Sequence, residues 1–353
     1  MKSDVYFVKA ESQDLEARQK ALKKLLAAIT PFISFKKNEF VPVKLTIGDS
    51  ACVFNVHPGL VKLVVAQVKK QGAKPFLFDT SVIYKGERQN AVDHLNLAQS
   101  KGFGHTKVGA PFIIADGVFG QDGKEFTVGG DWIHKIKVPS FVGMVDNLVV
   151  ISHVTGHIVS AYAGAIKNVA MGMSCRATKQ VQHSSLKPSI IVKNCTACGC
   201  CIALCPVRAI SFRQDKAFIE EQKCIGCAEC LCACKFNAIY INWHEEPLVF
   251  CKRMMETAGF ILSKFKHVWY LNFAMDITKE CDCISAKNEP MVSDSFGILA
   301  SKDILCLDKA TVDLALSHNK TEYFHKNKKL FDETFAFAAK KGLGNLEYNL
   351  IEL

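Results

Sequence analysis

The sequence has no long apolar segment, and this absence excludes one class of protein. No run of 18 or more apolar residues occurs, whereas a membrane-spanning helix needs about 20. The most apolar stretch, residues 147–166, contains two histidines and two glycines. The first residues, MKSDVYFVKAESQD, carry charges where a secretory signal needs an apolar core. We therefore expect a cytoplasmic protein that does not span a membrane.

Two binding motifs are also absent. No G-x-G-x-x-G follows a predicted strand, so the fingerprint of a dinucleotide-binding domain is missing. Flavodoxin-like sheets bind flavin without that motif, so a flavin stays open. The formal charge of +10 would suit nucleic acid, an acidic redox protein or an anionic substrate. The lysines are scattered and no aromatic-plus-basic motif accompanies them, which indicates a solvated face rather than a nucleic-acid site.

Cysteine, by contrast, is abundant, with 16 in the chain. Disulfides are rare in the cytoplasm, so clustered thiols there indicate metal ligation or catalysis. The cysteines form two runs spaced C-x2-C-x2-C-x3-C, and this is the spacing of bacterial ferredoxins. The runs consist of Cys195, Cys198, Cys201 and Cys205, followed by Pro206, and of Cys224, Cys227, Cys230 and Cys234.

In such a duplicated motif, three thiolates of one run and the last thiolate of the other run hold each cubane. The spacing therefore predicts two [4Fe–4S] clusters with crossed ligands. Set one comprises Cys195, Cys198, Cys201 and Cys234, and set two comprises Cys224, Cys227, Cys230 and Cys205. Zinc is the alternative, but zinc sites usually take two ligands from each of two loops. Cys200 and Cys232 fit no ligand position, and we expect them to pack as small apolar side chains.

Outside the cysteine runs, the chain alternates apolar strands with amphipathic helices. Strands are predicted at 5–10, 41–50, 74–80, 111–117, 147–157 and 266–277, and helices at 15–29, 58–72 and 303–317. This pattern predicts an α/β fold with a mostly parallel sheet and helices on both faces. We expect an α/β domain at 1–185 and 244–353, interrupted by a ferredoxin-like α+β insert at 186–243 that carries the two clusters.

Ligands of parallel sheets bind outside the carboxyl ends of the strands, where polar residues close several predicted strands. Asp49, Asp79 and Asp116 close three of them. His153 and His157 follow a fourth, four residues apart, and would share a face as metal ligands or an acid–base pair if that turn were helical. Alternatively, both histidines form hydrogen bonds within a polar loop.

Lys167 and Asn168 follow the small residues of YAGAI, which would let a ligand approach closely. Such a lysine could hold a carboxylate or phosphate or form a covalent adduct; the alternative is a surface lysine on a helix. Arg176, Lys179 and His183 add positive charge downstream. An anionic substrate or a cofactor phosphate is therefore expected.

Cys281 and Cys283 flank Asp282 after a predicted strand. If the strand continued, alternation would put both thiols on one side. They would then bind a further metal, form a redox pair or attack a substrate; the alternative is two buried cysteines. The other cysteines are expected in the core: Cys52, Cys175, Cys251 and Cys306.

Several segments together resemble the iron–sulfur-centre family called domain of unknown function 362. They are HPGLV, FLFDTSVIYKGER, FIIADG, GHIVSAYAGAIKNVAMGM, HSSLKP, ECDC and GILASKDILCLDKATVDL. The resemblance spans nearly the whole chain but implies no particular reaction. The GH…GAIKN segment is also similar to the lactate racemase family, whose nickel pincer cofactor sits on a lysine.

Three functions stay open on the sequence. The first is an iron–sulfur oxidoreductase of an anaerobe, whose clusters exchange electrons with a small anionic substrate and with a partner such as a ferredoxin. The second is an electron-transfer or assembly protein without catalysis. The third is a non-redox enzyme of the racemase type with structural clusters. Polar residues at the strand ends favour the first, because a bare carrier would not need them.

Overall fold

The computed structural model describes residues 2–183, 187–241, 246–283, 287–318 and 322–353. The strands in these ranges are β1 (Ser3–Lys9), β2 (Phe40–Lys44), β3 (Lys74–Asp79), β4 (Phe112–Ile114), β5 (Lys124–Thr127), β6 (Lys135–Val138), β7 (Asn147–His153), β8 (Ser189–Ile190), β9 (Ile210–Arg213), β10 (Lys216–Ile219), β11 (Ile239–Tyr240), β12 (His267–Ala274), β13 (Gly297–Ser301) and β14 (Tyr348–Glu352).

The helices of the same ranges pack mainly around one sheet. They are α1 (Leu15–Ile29), α2 (Pro58–Lys70), α3 (Ala91–Ser100), α4 (His105–Val108), α5 (Ala165–Ala170), α6 (Arg176–His183), α7 (Cys200–Ala203), α8 (Glu229–Ala233), α9 (Pro247–Leu262), α10 (Ile304–Ser317), α11 (Glu322–Lys326) and α12 (Lys328–Lys340). None of these helices is long and apolar enough to cross a membrane.

Eight strands form a single sheet in the order β14-β1-β13-β12-β7-β2-β3-β4. Neighbours pair in parallel except at β13, which is antiparallel to both β1 and β12. The prediction of an α/β fold with a mostly parallel sheet is confirmed. After β2 the chain adds β3 and β4 on one side and then returns to place β7 on the other. The strand order therefore reverses between β2 and β7, and such switch points are where α/β sheets bind ligands.

Helices cover both faces of this sheet and bury separate apolar clusters. One cluster gathers side chains of α1 and α2 with those of β2, and the other gathers side chains of α5, α9, α10 and α12. In α1, the buried residues Leu22, Leu25, Leu26 and Ile29 recur at helical spacing. The Asp14 side chain caps this helix by accepting from the Ala17 N–H at 2.8 Å.

Several strands end earlier than the sequence predicted, and the differences are largest for β2 and β7. β2 ends at Lys44 rather than at residue 50, and β7 ends at His153 rather than at residue 157. Beyond β2, Gly48 has a φ of +63°, and a side chain there would come within 2.7 Å of Cys52. The residues after each strand therefore form loops at the carboxyl edge, where their polar groups are not tied into the sheet.

The cysteine-rich segment forms two small ribbons, β8 with β11 and β9 with β10, both antiparallel. Its internal repeat is visible in the backbone, because residues with positive φ recur at matching positions of both runs. They are Ala197 and Gly199 in the first run, and Gly226 and Ala228 in the second. The predicted domain boundaries at 185/186 and 243/244 lie outside the described residues, so that division stays a prediction.

Candidate active site and cluster cavities

A cleft of about 600 Å³ opens at the carboxyl edge of the sheet and is lined by residues of the loops that follow β2, β3, β7 and β12. The cysteine-rich segment also lines this cleft, through Leu231, Asn237 and Ile239. The cleft thus lies between the strand ends of the α/β sheet and the segment with the predicted cluster ligands. A concave site of this size can enclose a small molecule.

Two thiols meet an ammonium group in this cleft. β12 ends at Ala274, so the strand does not continue through Cys281 and Cys283, yet both thiols line the cleft. Cys281 is buried and Cys283 is half-buried. The Lys167 Nζ atom donates to the Cys283 Sγ atom at 3.5 Å. Lys167 itself is only 9% exposed, so it is not a surface lysine.

The pKa values of the two thiols are shifted in opposite directions. A hydrogen bond with Cys281, helped by the charges of Lys167 and Arg88, holds the pKa of the Cys283 thiol well below its ordinary value despite burial. The same hydrogen bond, together with burial, raises the pKa of Cys281 well above the ordinary range. Burial opposes the charge of Lys167, but the two thiols outweigh it and raise its pKa. The favoured state is a Cys283 thiolate, a Cys281 thiol and a Lys167 ammonium.

Cys283 is expected to react with iodoacetamide at pH values well below about 8.5, the ordinary thiol pKa, because the thiolate is the reactive form. In Lys167→Met the pKa of Cys283 should rise, so its alkylation near pH 7 should slow roughly three- to tenfold. Peptide mass spectrometry measures the rate at Cys283 alone. Lys266→Met, at a lysine exposed on the surface, is the control. A pH profile unchanged by Lys167→Met would refute the ion pair.

His153 orients the turn that carries the two thiols. Its Nδ1 atom lies 2.7 Å from Asp282 Oδ1, and its Nε2 atom lies 2.8 Å from the Met275 carbonyl oxygen. Burial disfavours the imidazolium, but the contact with Asp282 raises the pKa of His153 above its ordinary value. Both ring nitrogens thus bond to protein oxygens, so His153 holds Asp282 in place instead of presenting a nitrogen to the cleft.

Residues 154–160 are not helical, so His153 and His157 do not share a helix face. His157 also differs from His153 in its protonation. The His157 Nδ1 atom accepts the backbone N–H groups of Ser160 at 3.0 Å and Val159 at 3.2 Å. Burial and nearby positive charge hold the pKa of His157 well below its ordinary value. A neutral ring that accepts at Nδ1 carries its proton on Nε2, so His157 supplies a neutral donor at the cleft.

Asn168 connects helix α5 to the sheet beneath the cleft. Its Oδ1 atom accepts from Lys44 Nζ at 2.8 Å, and its Nδ2 atom donates to the Ile151 carbonyl at 2.9 Å. Lys44 is fully buried and also lies 2.9 Å from Asp79 Oδ1. Sequence reasoning missed Lys44; the available signal was a lysine that closes the apolar run VPVK. Asn168 therefore positions Lys167, its neighbour on α5.

Further cations line the cleft. Lys179 Nζ donates to Thr80 Oγ1 at 2.6 Å, and burial lowers the pKa of Lys179 to about 8. His183 also lines the cleft, but burial lowers its pKa to about 4, so the ring is neutral near pH 7 and the expectation that it adds positive charge is wrong. Arg88, which sequence reasoning missed, is 2% exposed and donates to Asp49 Oδ1 at 2.8 Å.

Arg176 departs from the expectation that it adds charge to the anion site. It is directed towards the cysteine-rich segment, where it contacts Glu229 and lies 2.9 Å from Cys232 Sγ. Its role is therefore to join α6 to the second cysteine run.

The predicted cluster ligands surround two small cavities. One cavity is lined by all four cysteines of set one, including Cys234 from the second run. The other is lined by all four cysteines of set two, including Cys205 from the first run. Within the described ranges, no three His, Cys, Asp or Glu side chains are gathered as ligands of a metal ion. Each set instead lines one small space, which Thr196 also lines in set one and Glu229, paired with Arg176, in set two. Four thiols around one space fit a cubane.

Backbone groups support these sulfurs in a repeated way. The Ala209 N–H donates to Cys205 Sγ at 3.2 Å, and the Ala238 N–H donates to Cys234 Sγ at 3.2 Å. Each donor stands four residues after its cysteine, so the two runs share this contact. Hydrogen bonds to the sulfurs are a recognised influence on cluster potential.

The two cysteines outside the ligand sets behave differently from each other. Cys200 is exposed, so the prediction that it packs as a small apolar side chain is wrong. Cys232 is half-buried beside Arg176. The four predicted core cysteines, Cys52, Cys175, Cys251 and Cys306, are buried.

Comparison with known proteins identifies a family and several short local similarities. A family model described as "Domain of unknown function (DUF362)" matches residues 41–313. Putative oxidoreductase UacF of Escherichia coli is 37% identical over 70 residues, covering 17% of this chain and 11% of that protein. DNA-directed RNA polymerase subunit Rpo3 of Methanosarcina acetivorans is 39% identical over 80 residues, covering 22% and 29%.

The menaquinone reductase iron–sulfur cluster-binding subunit of Nitratidesulfovibrio vulgaris is 33% identical over 55 residues, covering 14% of this chain and 22% of that protein. The chain thus spans less than a third of each of these three relatives. Among solved structures, the lactate racemase apoprotein of Thermoanaerobacterium thermosaccharolyticum matches with a TM-score of 0.41 and 13% identity, covering 77% of this chain and 51% of that one.

Proposed function

The chain belongs to the family described as domain of unknown function (DUF362), and from this premise we propose that it is an iron–sulfur oxidoreductase acting on a small anionic substrate. Sets one and two would each hold a [4Fe–4S] cluster, which supplies one-electron transfer. The observation that carries the proposal is that the cysteine-rich segment and the loops of the α/β sheet line the same cleft. Leu231 lies next to Cys230 in sequence, and it faces the same cleft as Cys283 and Lys167.

The charges of the cleft support an anionic substrate. Four cationic side chains line it: Lys85, Arg88, Lys167 and Lys179. The Lys85 Nζ atom donates a hydrogen bond to the Cys234 carbonyl oxygen. The carboxylates there are already paired, Asp79 with Lys44 and Asp282 with His153. A bound carboxylate, sulfonate or phosphate would therefore meet a positive environment with little competing negative charge apart from Cys283.

The residues of the cleft can be assigned separate tasks in this proposal. Lys167 would hold the charge of the substrate and keep Cys283 as a thiolate, and His157 would donate its Nε2 proton. His153, Asp282 and Asn168 are positioning residues, because each bonds to protein groups that present Lys167 or the thiols. Leu231 and Ile239, the apolar lining residues of the cysteine-rich segment, would help to exclude water.

The racemase alternative receives less support from the state of Lys167. A lysine that carries a covalent cofactor must first react as a neutral amine, whereas the neighbouring thiols hold Lys167 as an ammonium. Intact mass of the purified protein would detect an adduct at Lys167. Extraction would detect a flavin, which the cleft leaves open as an additional cofactor.

A partner protein would deliver electrons at the outer side of set one. Cys198 and Cys200 are exposed there, and the same cavity is lined by Phe212 and Phe236, which are about half exposed. Lys235 adds a positive charge close to Cys200. An acidic ferredoxin would complement this surface, and its electron transfer to the protein should slow as salt rises. A rate independent of salt would argue against this surface.

The function is tested by oxidising the dithionite-reduced, anaerobically purified protein with small anions. Sulfur oxyanions, nitrite, 2-oxo acids and anionic disulfides form the panel. At least one should restore the visible absorbance of the wild-type protein, because the cleft would bring the anion close to the clusters. In Cys283→Ala the clusters should stay reduced and the iron content should be unchanged. Cys306→Ala is the control and should respond like the wild type, because Cys306 is buried and does not line the cleft. Failure of every anion, or an unchanged response in Cys283→Ala, would contradict the proposal.

A further inference from the structure

Cys281 and Cys283 differ in solvent exposure, which suits two different roles in thiol chemistry. Cys283 is half-buried at the cleft, whereas Cys281 lines the same cleft and is only 3% exposed. Asp282, the one residue between them, is held 2.7 Å from His153. An accessible thiolate beside a buried thiol is the arrangement of a nucleophile and its resolving partner in thiol–disulfide exchange.

We propose that Cys281 and Cys283 form a reversible dithiol–disulfide pair that reduces small anionic disulfides in the cleft. The inference rests on the proposed function, which would supply the electrons that restore the pair. It also specifies the substrate class that the general proposal leaves open.

The exchange balances in two steps. The Cys283 thiolate attacks one sulfur of R–S–S–R, so that a Cys283–S–S–R bond forms and one R–S⁻ leaves. Cys281 then gives up its proton and attacks the Cys283 sulfur, and the second R–S⁻ leaves. The products are the Cys281–Cys283 disulfide, one R–S⁻ and one R–SH, because the proton of Cys281 passes to a leaving group. Two electrons and one proton return the pair to its starting thiol and thiolate.

The surroundings favour small, negatively charged disulfides over protein disulfides. The cleft has a volume of about 600 Å³, which suits a small molecule better than a folded protein segment. Lys167 lies 3.5 Å from the attacking sulfur and would also attract an anionic leaving group. Arg88 and Lys179, both buried, add positive charge to the same cleft.

The test compares two disulfide probes on the full chain, purified without oxygen and with its iron content measured in parallel. One probe is dithiobis(nitrobenzoate), a dianion, and the other is dithiodipyridine, which is neutral. Peptide mass spectrometry follows residues 281 and 283, so that other cysteines do not interfere. The variants are Cys281→Ser, Cys283→Ser and Lys167→Met, and Cys251→Ser, at a buried cysteine absent from the cleft lining, is the matched control.

The wild-type protein and Cys251→Ser should end with an internal 281–283 disulfide and no retained probe. Cys281→Ser should stop with one probe thiol on Cys283, and Cys283→Ser should leave Cys281 unmodified. In Lys167→Met, the rate ratio of the anionic to the neutral probe should fall about tenfold, since one positive charge is lost. A probe retained on wild-type Cys283, or direct modification of Cys281, would overturn the dithiol pair; an unchanged ratio would overturn the anionic substrate class. If the iron content is normal, either of these results would leave the iron–sulfur proposal standing. If the protein contains no iron but still carries out the disulfide exchange, only the iron–sulfur proposal would be refuted.

Discussion

The double variant Cys224→Ser/Cys234→Ser is expected to lose both clusters, although its two substitutions lie in the same cysteine run. Cys234 lines the cavity of set one, with three cysteines of the first run, whereas Cys224 lines the cavity of set two. One ligand is thus removed from each cluster. The iron content should fall from about eight per chain to near zero, since each cubane holds four.

The matched variant Cys205→Ser/Cys224→Ser has its substitutions in different runs but in one set, so it should keep about four iron atoms per chain. Cys232→Ser, two residues before Cys234 and absent from both cavities, should keep about eight. Metal analysis and the low-temperature paramagnetic spectrum of the reduced protein measure these contents. The reverse ranking of the two double variants would show that the ligands are not crossed, and zinc in place of iron would exclude the clusters.

Asp308→Ala is expected to cause the largest loss of stability among single substitutions near the cleft. The buried Asp308 carboxylate accepts the N–H groups of Ala165 and Ile166, both at 2.9 Å, and thereby caps α5 from a distant helix. It also accepts from Asn272 Nδ2 at 2.8 Å and from Tyr162 Oη at 3.0 Å. Alanine leaves the buried N–H groups of Ala165 and Ile166 without this acceptor and removes two further hydrogen bonds, so the free energy of unfolding should fall by roughly 3 kcal/mol or more.

Asp313→Ala, on the same helix, is the control. Asp313 is part-exposed, pairs with Lys309 at 2.6 Å and accepts from Tyr348 Oη at 2.9 Å, so its loss should cost only about 1 kcal/mol. The midpoints of urea unfolding compare the two variants. Because Asp308 holds the start of α5, its loss should also move Lys167 and slow the alkylation of Cys283 near neutral pH. Equal midpoints for the two variants would show that the cap contributes little.

Much of the fold was predictable because the signals are local. Apolar runs and helical spacing indicated the strands and helices, and their alternation indicated a mostly parallel sheet. The strand ends at 44 and 153 were missed, since apolar residues continue into the loops and only the packing at the edge decides where pairing stops. The cluster cysteines were predicted for a local reason as well, because three of the four proposed ligands of each set fall within seven residues.

The candidate site was predicted only in part. Lys167, Cys281 and Cys283 were identified as separate candidates, but their meeting joins residues 116 apart in the chain. Lys44 was missed because a lysine in a strand is usually exposed, and its burial depends on Asp79 and Asn168, which lie far away in sequence. The state of each histidine likewise follows from its partners, Asp282 for His153 and the backbone of Ser160 for His157.

The sequence by itself determined that the chain has duplicated ferredoxin-type cysteine runs within an α/β fold, because ligand spacing and apolar periodicity are properties of neighbouring residues. Only the tertiary structure decided that Lys167 lies against Cys283, that Cys281 is buried beside the same cleft and that residues of the cysteine-rich segment line it. These properties arise from charges and burial contributed by distant parts of the chain, and a linear pattern does not contain those distances.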